Sequence, residues 1–252
     1  MVIFEGVGVA LVTLFDDRGG LDAAGTAALA ASLADEGMRA ILVSGSTGEA
    51  ATLDPAERVE LVTAVRAAVP AGVPVLAGTG APSARQAARL TAAALEAGAD
   101  GVLALSPPGS ADLERYYRDV VTAAGGAPVF GYHYPGMSAP GIDVELLPRL
   151  GELGLLGLKD SSGDASRLIR TLERFDGALY VGSPWLLSAA GPLGATGAIL
   201  AVANVEPALS IKAFGGDVDA QRALAATCER SHGPAAVKRL LAERGCSAVT
   251  RV

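Results

Sequence analysis

Lys159 stands in "GLKDSSGD", residues 157–164, where the apolar run Leu153–Leu158 stops and a small polar loop begins. The chain has three lysines, Lys159, Lys212 and Lys238, against seventeen arginines, so a lysine ending a buried segment is a choice of residue that needs a reason. An amine at a strand end can be desolvated, and a neutral amine condenses with a ketone to give an imine that then accepts an electron pair. The amine must first lose its proton, so its pKa must fall from about 10.4 towards roughly 7–8. Lys212 in "PALSIKAFGG" and Lys238 in "AAVKRLLAER" both read as helical, which leaves Lys159 as the amine placed for such chemistry. A lone lysine after a strand is ordinarily a solvated boundary residue, and its companions decide between the two readings. They are Tyr132 in "GYHYPGM" (131–137) and the hydroxyl-rich glycine loop "SGSTGEA" (44–50). Either alone would be a core tyrosine or a plain turn. Together with a strand-end lysine they make a set able to bind a carboxylate, form an imine and move a proton.

These residues need a scaffold that gathers strand ends. Short β-branched runs at Val7–Phe15, Ala40–Val43, Val73–Gly78, Gly101–Leu105, Pro128–Tyr132, Leu155–Lys159, Ala178–Gly182 and Gly197–Ala201 alternate with alanine-rich stretches. The latter predict helices near 22–36, 55–69, 83–97, 112–124, 143–152, 164–175, 184–191 and 206–215. Helix starts are marked by Asp54-Pro55-Ala56-Glu57 and by Ser83…Gln86, both with capping-box spacing. Gly37, Gly72 and Gly98 stand where helices should close before the next strand. Eight strand–helix units predict a parallel sheet, and eight is the number that closes a (β/α)8 barrel with its site on the loops after the strands. A doubly wound open sheet is the alternative, but "DDRGGLD" after the first strand lacks the phosphate-binding glycine pattern. The expected organisation is a barrel over residues 1–215, with a short C-terminal helical extension over 216–252.

Composition limits the function. The net charge of −7 and a pI near 4.9, with arginines scattered, exclude a phosphate-backbone partner. "MVIFEGVGVALVTLF" carries Glu5, lacks a cationic start and is too short to span a bilayer, so it reads as a first strand. Cys228 and Cys246 both fall in the last helical stretch without a disulfide framework, which fits a reducing cytoplasm. His133 and His232 are too few and too far apart for a histidine-built metal site, and no cofactor signature is present.

"GSTGEAATLDPAER", "PVLAGTGAPSARQAARL", "YHYPG", "GLKDSSGD" and "GATGAILAVANV" resemble, in order, the motifs of the dihydrodipicolinate synthase/N-acetylneuraminate lyase family, from about Gly6 to Asn204. The resemblance implies a class I pyruvate-dependent aldolase on a (β/α)8 barrel, without metal or cofactor. Carried over residue by residue, it makes Lys159 the Schiff-base lysine and Tyr132 the proton shuttle. It makes Ser46 and Thr47 the hydroxyl pair on the pyruvate carboxylate, helped by loop N–H groups at Gly45, and Ile199 the lining of the pyruvate methyl side. Ser183 enters as a substrate-binding residue of the strand-seven loop. His133 stands where asparagine is common and receives no role beyond that of a packed or solvated imidazole.

Three departures narrow the expectation. Met137 occupies the position of the arginine that binds the second substrate's carboxylate in dihydrodipicolinate synthases, and a thioether cannot do so. "GSPW" at 182–185 lacks the Asp-Glu pair of sialic acid lyases. The "SPPGS" loop has Gly109 where many members place tyrosines, and Tyr116 and Tyr117 read as packing residues. The expectation is therefore a lyase that cleaves a 2-keto-3-deoxy sugar acid, or a related 2-keto-4-hydroxy acid, to pyruvate and an aldehyde. Condensation of pyruvate with aspartate semialdehyde is the alternative, and a keto-acid-binding paralogue without catalysis is a third. A homo-oligomer, dimer or tetramer, is the expected assembly.

Overall fold

The computed structural model describes residues 2–109, 112–245 and 249–251. Eight parallel strands pair in chain order and close on themselves. They are β1 (Gly6–Ala10), β2 (Ile41–Val43), β3 (Val75–Gly78), β4 (Gly101–Leu105), β5 (Val129–His133), β6 (Gly157–Asp160), β7 (Ala178–Val181) and β8 (Gly197–Leu200). The closing ladder sets Val7 against Ala198 and Val9 against Leu200. Around them run α1 (Ala23–Asp35), α2 (Pro55–Ala68), α3 (Ala84–Glu96), α4 (Leu113–Ala124), α5 (Leu147–Glu152), α6 (Ala165–Arg174), α7 (Leu187–Ala190) and α8 (Pro207–Phe214), followed by α9 (Val218–Arg230) and α10 (Pro234–Glu243). The (β/α)8 barrel is as the sequence pattern requires.

Side chains alternate along each strand, so each strand feeds two cores. Leu42, Leu76, Leu103, Phe130, Tyr132, Tyr180 and Ile199 fill the interior. Ile41, Val43, Val75, Val102, Val129, Leu158, Leu179 and Leu200 face the helices. This dual burial is why the strands read as continuous apolar runs. Phe4 stacks on Tyr180 at 4.5 Å, Phe130 meets the same ring edge-on at 5.6 Å, and the Tyr180 hydroxyl donates to the Phe4 carbonyl. These three rings pack together inside the barrel. Gly157 makes room for them, since a Cβ there would lie 2.8 Å from the Phe130 ring and 2.4 Å from the Ala178 carbonyl oxygen.

Several predicted boundaries shift. The first strand ends at Ala10 rather than Phe15, although Leu11, Val12 and Leu14 stay buried. Beyond Leu11, side chains replace the ladder: the Val12 N–H donates to Asn204 and the Leu14 N–H to Thr26. Phe15 instead makes an antiparallel bridge with Leu21. The helices predicted at 143–152 and 184–191 each begin with a 3₁₀ turn and leave one or two α-turns, α5 and α7. Asp54 and Glu57 form the full capping box at α2. Ser83 caps α3 through the Gln86 N–H, with Gln86 returning to the Ser83 hydroxyl rather than to the backbone. Gly37 and Gly98 have positive φ of 96° and 100° after α1 and α3. Gly72 does not close α2, which ends at Ala68 with Val69 as its C-cap, before Pro70.

Leu224 of α9 and Val237 and Leu241 of α10 belong to the same apolar cluster as the outer faces of the strands. Cys228 is buried in α9 as a free thiol, and Cys246 lies outside the described residues. No described helix is long and apolar enough to cross a membrane.

Candidate active site

The alternation that builds the barrel also aims its strand ends. On β6, Leu158 and Asp160 flank Lys159; Leu158 faces the helices, so Lys159 turns inward. The register sets Tyr132 of β5 and Tyr180 of β7 directly beside it. Lys159 is 4% exposed, and its Nζ lies 4.5 Å from the centre of the Tyr132 ring. Burial, the sole cause, pulls its pKa down to about 7. The amine therefore titrates near neutrality and is available as a nucleophile there.

Two neighbours shape this lysine. Gly182 follows β7, and a Cβ at that position would meet Ser161 Oγ and come within 2.8 Å of Lys159 Cε, so a side chain there would push both aside. Asp160 is buried next in sequence, but its carboxylate is turned to Arg167 of α6 at 2.5 Å and to the Ser162 N–H at 2.8 Å. The adjacent acid thus stabilises the β6 loop and leaves the amine unpaired.

Tyr132 is buried, and desolvation pushes its phenol up to about 12, so it keeps its proton at neutral pH. Ser161 donates to the phenol oxygen at 3.3 Å, and the Ser46 hydroxyl of the β2 loop, close by, also lowers its pKa. Tyr134 stacks on the same ring at 5.9 Å. The phenol is therefore held between the β2 loop and the β6 loop, beside the amine. Ser161, Tyr134 and Gly182 lie within "GLKDSSGD", "YHYPG" and "GSPW", stretches that assign them no role of their own. Their roles follow from position alone.

The β2 loop, Ser44–Glu49, begins and ends on residues in the left-handed region, Ser44 at φ 52° and Glu49 at φ 53°. Non-glycine residues adopt this conformation at a cost and persist in it where surroundings over-determine it, a pattern concentrated at functional sites. Thr13 supplies one restraint by donating to the Gly48 carbonyl at 2.8 Å. Arg58 supplies others to the carbonyls of Ala50 and Gly78. Gly45, Ser46 and Thr47 between these restraints are half-buried.

Ile199 lies in the interior cluster with Tyr132. Ser183 is buried on the β7 loop, lining a small cleft with Asp160, Ser162, Gly163 and Leu168. The structure thus joins Lys159, Tyr132, Ser46 and Ile199 at one end of the barrel interior and leaves Ser183 behind the β6 loop. His133, next to Tyr132, faces outward; its Nδ1 accepts the Ile142 N–H at 2.9 Å, and burial pushes its pKa below the ordinary 6.5. It is a packed imidazole. Tyr116 and Tyr117 are packing residues, donating to the carbonyls of Leu105 and Ala104. Among the described residues no cluster of three His, Cys, Asp or Glu side chains could hold a metal.

A buried amine near neutrality, a protonated phenol against it and a strained hydroxyl-bearing loop form a site for imine chemistry on a carboxylated ketone. The model of the dihydrodipicolinate synthetase family matches residues 3–240. The chain belongs to that family. Similar proteins include an uncharacterized DapA-like lyase of Halobacterium salinarum, 38% identical over 82% of this chain and 70% of that protein. The 4-hydroxy-tetrahydrodipicolinate synthase of Pseudomonas aeruginosa is 36% identical over 86% of this chain and 77% of its own length. YagE of Escherichia coli K12, a prophage protein of the dihydrodipicolinic acid synthase family solved in complex with pyruvate, superposes with a TM-score of 0.90 at 26% identity, covering 100% of this chain and 92% of that one. As a member of the dihydrodipicolinate synthetase family, the protein is a class I Schiff-base lyase.

Proposed function

We propose that the protein reversibly cleaves a 2-keto-3-deoxy sugar acid, or a related 2-keto-4-hydroxy acid, into pyruvate and an aldehyde. The observation that carries this reading is Lys159: a buried strand-end amine, pulled to about 7 with no counter-ion among the described residues, 4.5 Å from the Tyr132 ring. Its neutral Nζ attacks the C2 carbonyl, and loss of water gives an iminium. Ser46 and Thr47, with N–H groups of the Gly45 loop, grip the carboxylate, and Ile199 lines the methyl side of the pyruvyl group. As the C3–C4 bond breaks, its electron pair moves into the iminium to give an enamine, and the C4 hydroxyl proton passes to the Tyr132 relay. Protonation at C3 and hydrolysis then release pyruvate and the free amine. Ser183 takes a supporting place on the β7 loop, since it does not stand beside Lys159. The assembly that goes with this reading is a cytoplasmic homo-oligomer.

The acceptor distinguishes this from condensation of pyruvate with aspartate semialdehyde, the reaction suggested by the names of the synthase relatives. Met137, 52% exposed on the β5 loop, offers a thioether where that aldehyde's carboxylate would need a cation. Incubation with a panel of keto-deoxy sugar acids, reading released pyruvate, tests the proposal. Pyruvate release from at least one of them is expected. Turnover confined to pyruvate with aspartate semialdehyde would replace it with the synthase activity, and pyruvate binding without any turnover would make the protein a keto-acid binder.

A further inference from the structure

Glu49 lies two residues beyond Thr47 in the β2 loop, yet its carboxylate is directed into the protein rather than towards substrate. Lys238 of α10 donates to its Oε1 at 2.6 Å, and the Arg251 N–H to its Oε2 at 3.0 Å. The side chains of Glu49 and Lys238 are each 1% exposed. Lys238 also donates to the Val249 carbonyl at 2.6 Å, so one amine ties the loop to the C-terminal residues. Arg251 extends the tie: its guanidinium donates to the carbonyls of Gly19 and Thr52 and to Glu57 of α2. Both cations lie over the Phe15 ring, at 4.4 and 4.3 Å. Residues separated by about 190 to 230 positions in the chain thus converge beneath the β2 loop.

Stability alone would be served as well or better by apolar packing, because a buried ion pair must overcome the desolvation of both charges. What the charges add here is direction. They hold Glu49 in its left-handed conformation, and Glu49 hands that restraint on. Its N–H donates to the Ser46 carbonyl at 3.2 Å, and its carbonyl accepts from the Thr52 N–H and hydroxyl at 2.9 Å. Ser46 in turn stands near the Tyr132 phenol, whose pKa it lowers. A rotation at residue 49 therefore moves the hydroxyls that the β2 loop presents.

We infer that the C-terminal segment is a latch on the keto-acid loop: Glu49 is a positioning residue, and Lys238 and Arg251 are its anchors. The inference rests on the proposed function in taking this loop to grip the substrate carboxylate. It predicts that loosening the latch weakens keto-acid capture and leaves the chemistry at Lys159 intact once the site is filled.

The test uses the full chain with Arg251→Ala, Lys238→Met and the conservative Arg251→Lys. One arm follows amide hydrogen exchange over residues 44–52 without ligand; the other follows borohydride trapping of pyruvate against its concentration. Exchange in the loop and the half-saturating pyruvate concentration should each rise by about tenfold in Arg251→Ala, which cuts the guanidinium bonds to Gly19, Thr52 and Glu57 but keeps the backbone N–H on Glu49, and more in Lys238→Met, which strands the buried Glu49 charge. Trapping at saturating pyruvate should stay within about twofold of the parent, and Arg251→Lys should fall between parent and alanine variant. If Lys238→Met fails to fold, Arg251→Ala decides, because it leaves the Lys238–Glu49 pair in place. Unchanged exchange over residues 44–52 overturns the latch, as does a fall in saturating trapping with half-saturation unmoved. Absence of trapping in the parent itself would sink the proposed function, while the exchange arm still decides the latch.

Discussion

Lys159 and Lys238 are buried to almost the same degree and are made tolerable by opposite means. Lys159, inside the barrel, has no carboxylate facing it among the described residues, and burial brings its pKa to about 7. Lys238, beneath the β2 loop, is also pulled down by burial, but Glu49 opposes the pull through a hydrogen bond and a direct charge contact. A buried amine must either give up its proton or keep a partner. The first solution gives a nucleophile and the second gives a strut. Burial alone would not distinguish them; the nearest carboxylate does. Asp160, the acid adjacent to Lys159, is occupied by Arg167 and so cannot turn the nucleophile into a second strut.

The comparison can be broken in order of expected effect. Lys159→Ala should abolish imine trapping and turnover while the far-ultraviolet circular dichroism stays that of the parent; residual turnover through another lysine would equate the two amines. Tyr132→Phe removes the phenolic proton with little change in volume. Cleavage should fall about 10²–10⁴-fold while borohydride still traps pyruvate on Lys159; cleavage at the parental rate would take the proton relay away from Tyr132.

Stability should move in opposite directions at the two lysines. Between pH 7 and 10.5 the unfolded Lys159 binds a proton that the native amine has lost, so its burial costs stability increasingly as pH falls through that window, with the full penalty present below 7. Lys159→Met removes the penalty and should stabilise the fold at pH 7 by ~2–4 kcal/mol. Lys238→Met instead strands Glu49 and should destabilise by ~3–5 kcal/mol. Denaturant unfolding at pH 7 reads both, and a loss of stability in Lys159→Met would mean that its amine is paired after all.

Smaller still is Thr47→Val, which deletes one hydroxyl from the carboxylate loop and should cost ~1–3 kcal/mol of transition-state binding for every keto-acid substrate alike. A loss confined to one aldehyde would move Thr47 to the acceptor side of the pocket. With pH, trapping should rise through about 7 as Lys159 deprotonates and level off above it.

Much of the barrel was legible because the physics that builds it is local. Dual burial makes each strand an uninterrupted apolar run, and Lys159 stood out by ending one. The limits were long-range. The first strand was drawn to Phe15 because apolar residues continue, whereas the ladder stops where Asn204 and Thr26 take the backbone N–H groups. Gly72 read as a helix stop that Pro70 had already supplied. Lys238 read as one more helical cation in an alanine-rich segment, because its partner Glu49 lies 189 residues away. Ser161 stands inside "GLKDSSGD", yet its bond to Tyr132, like the contact of Gly182 with the Lys159 stem, depends on strand register that the motif does not spell out. Ser183 follows β7 and lines a small cleft beside the β6 loop with Asp160, Ser162 and Gly163, a placement that no motif spells out.

The direct test is reductive trapping: incubate the protein with pyruvate and borohydride at pH 8, digest it and map the modified peptide by mass. A single reduced pyruvyl adduct on Lys159, absent from Lys212 and Lys238, is the expected result. An adduct on either of the other lysines, or none at saturating pyruvate, would contradict the assignment of the buried, unpaired amine as the nucleophile.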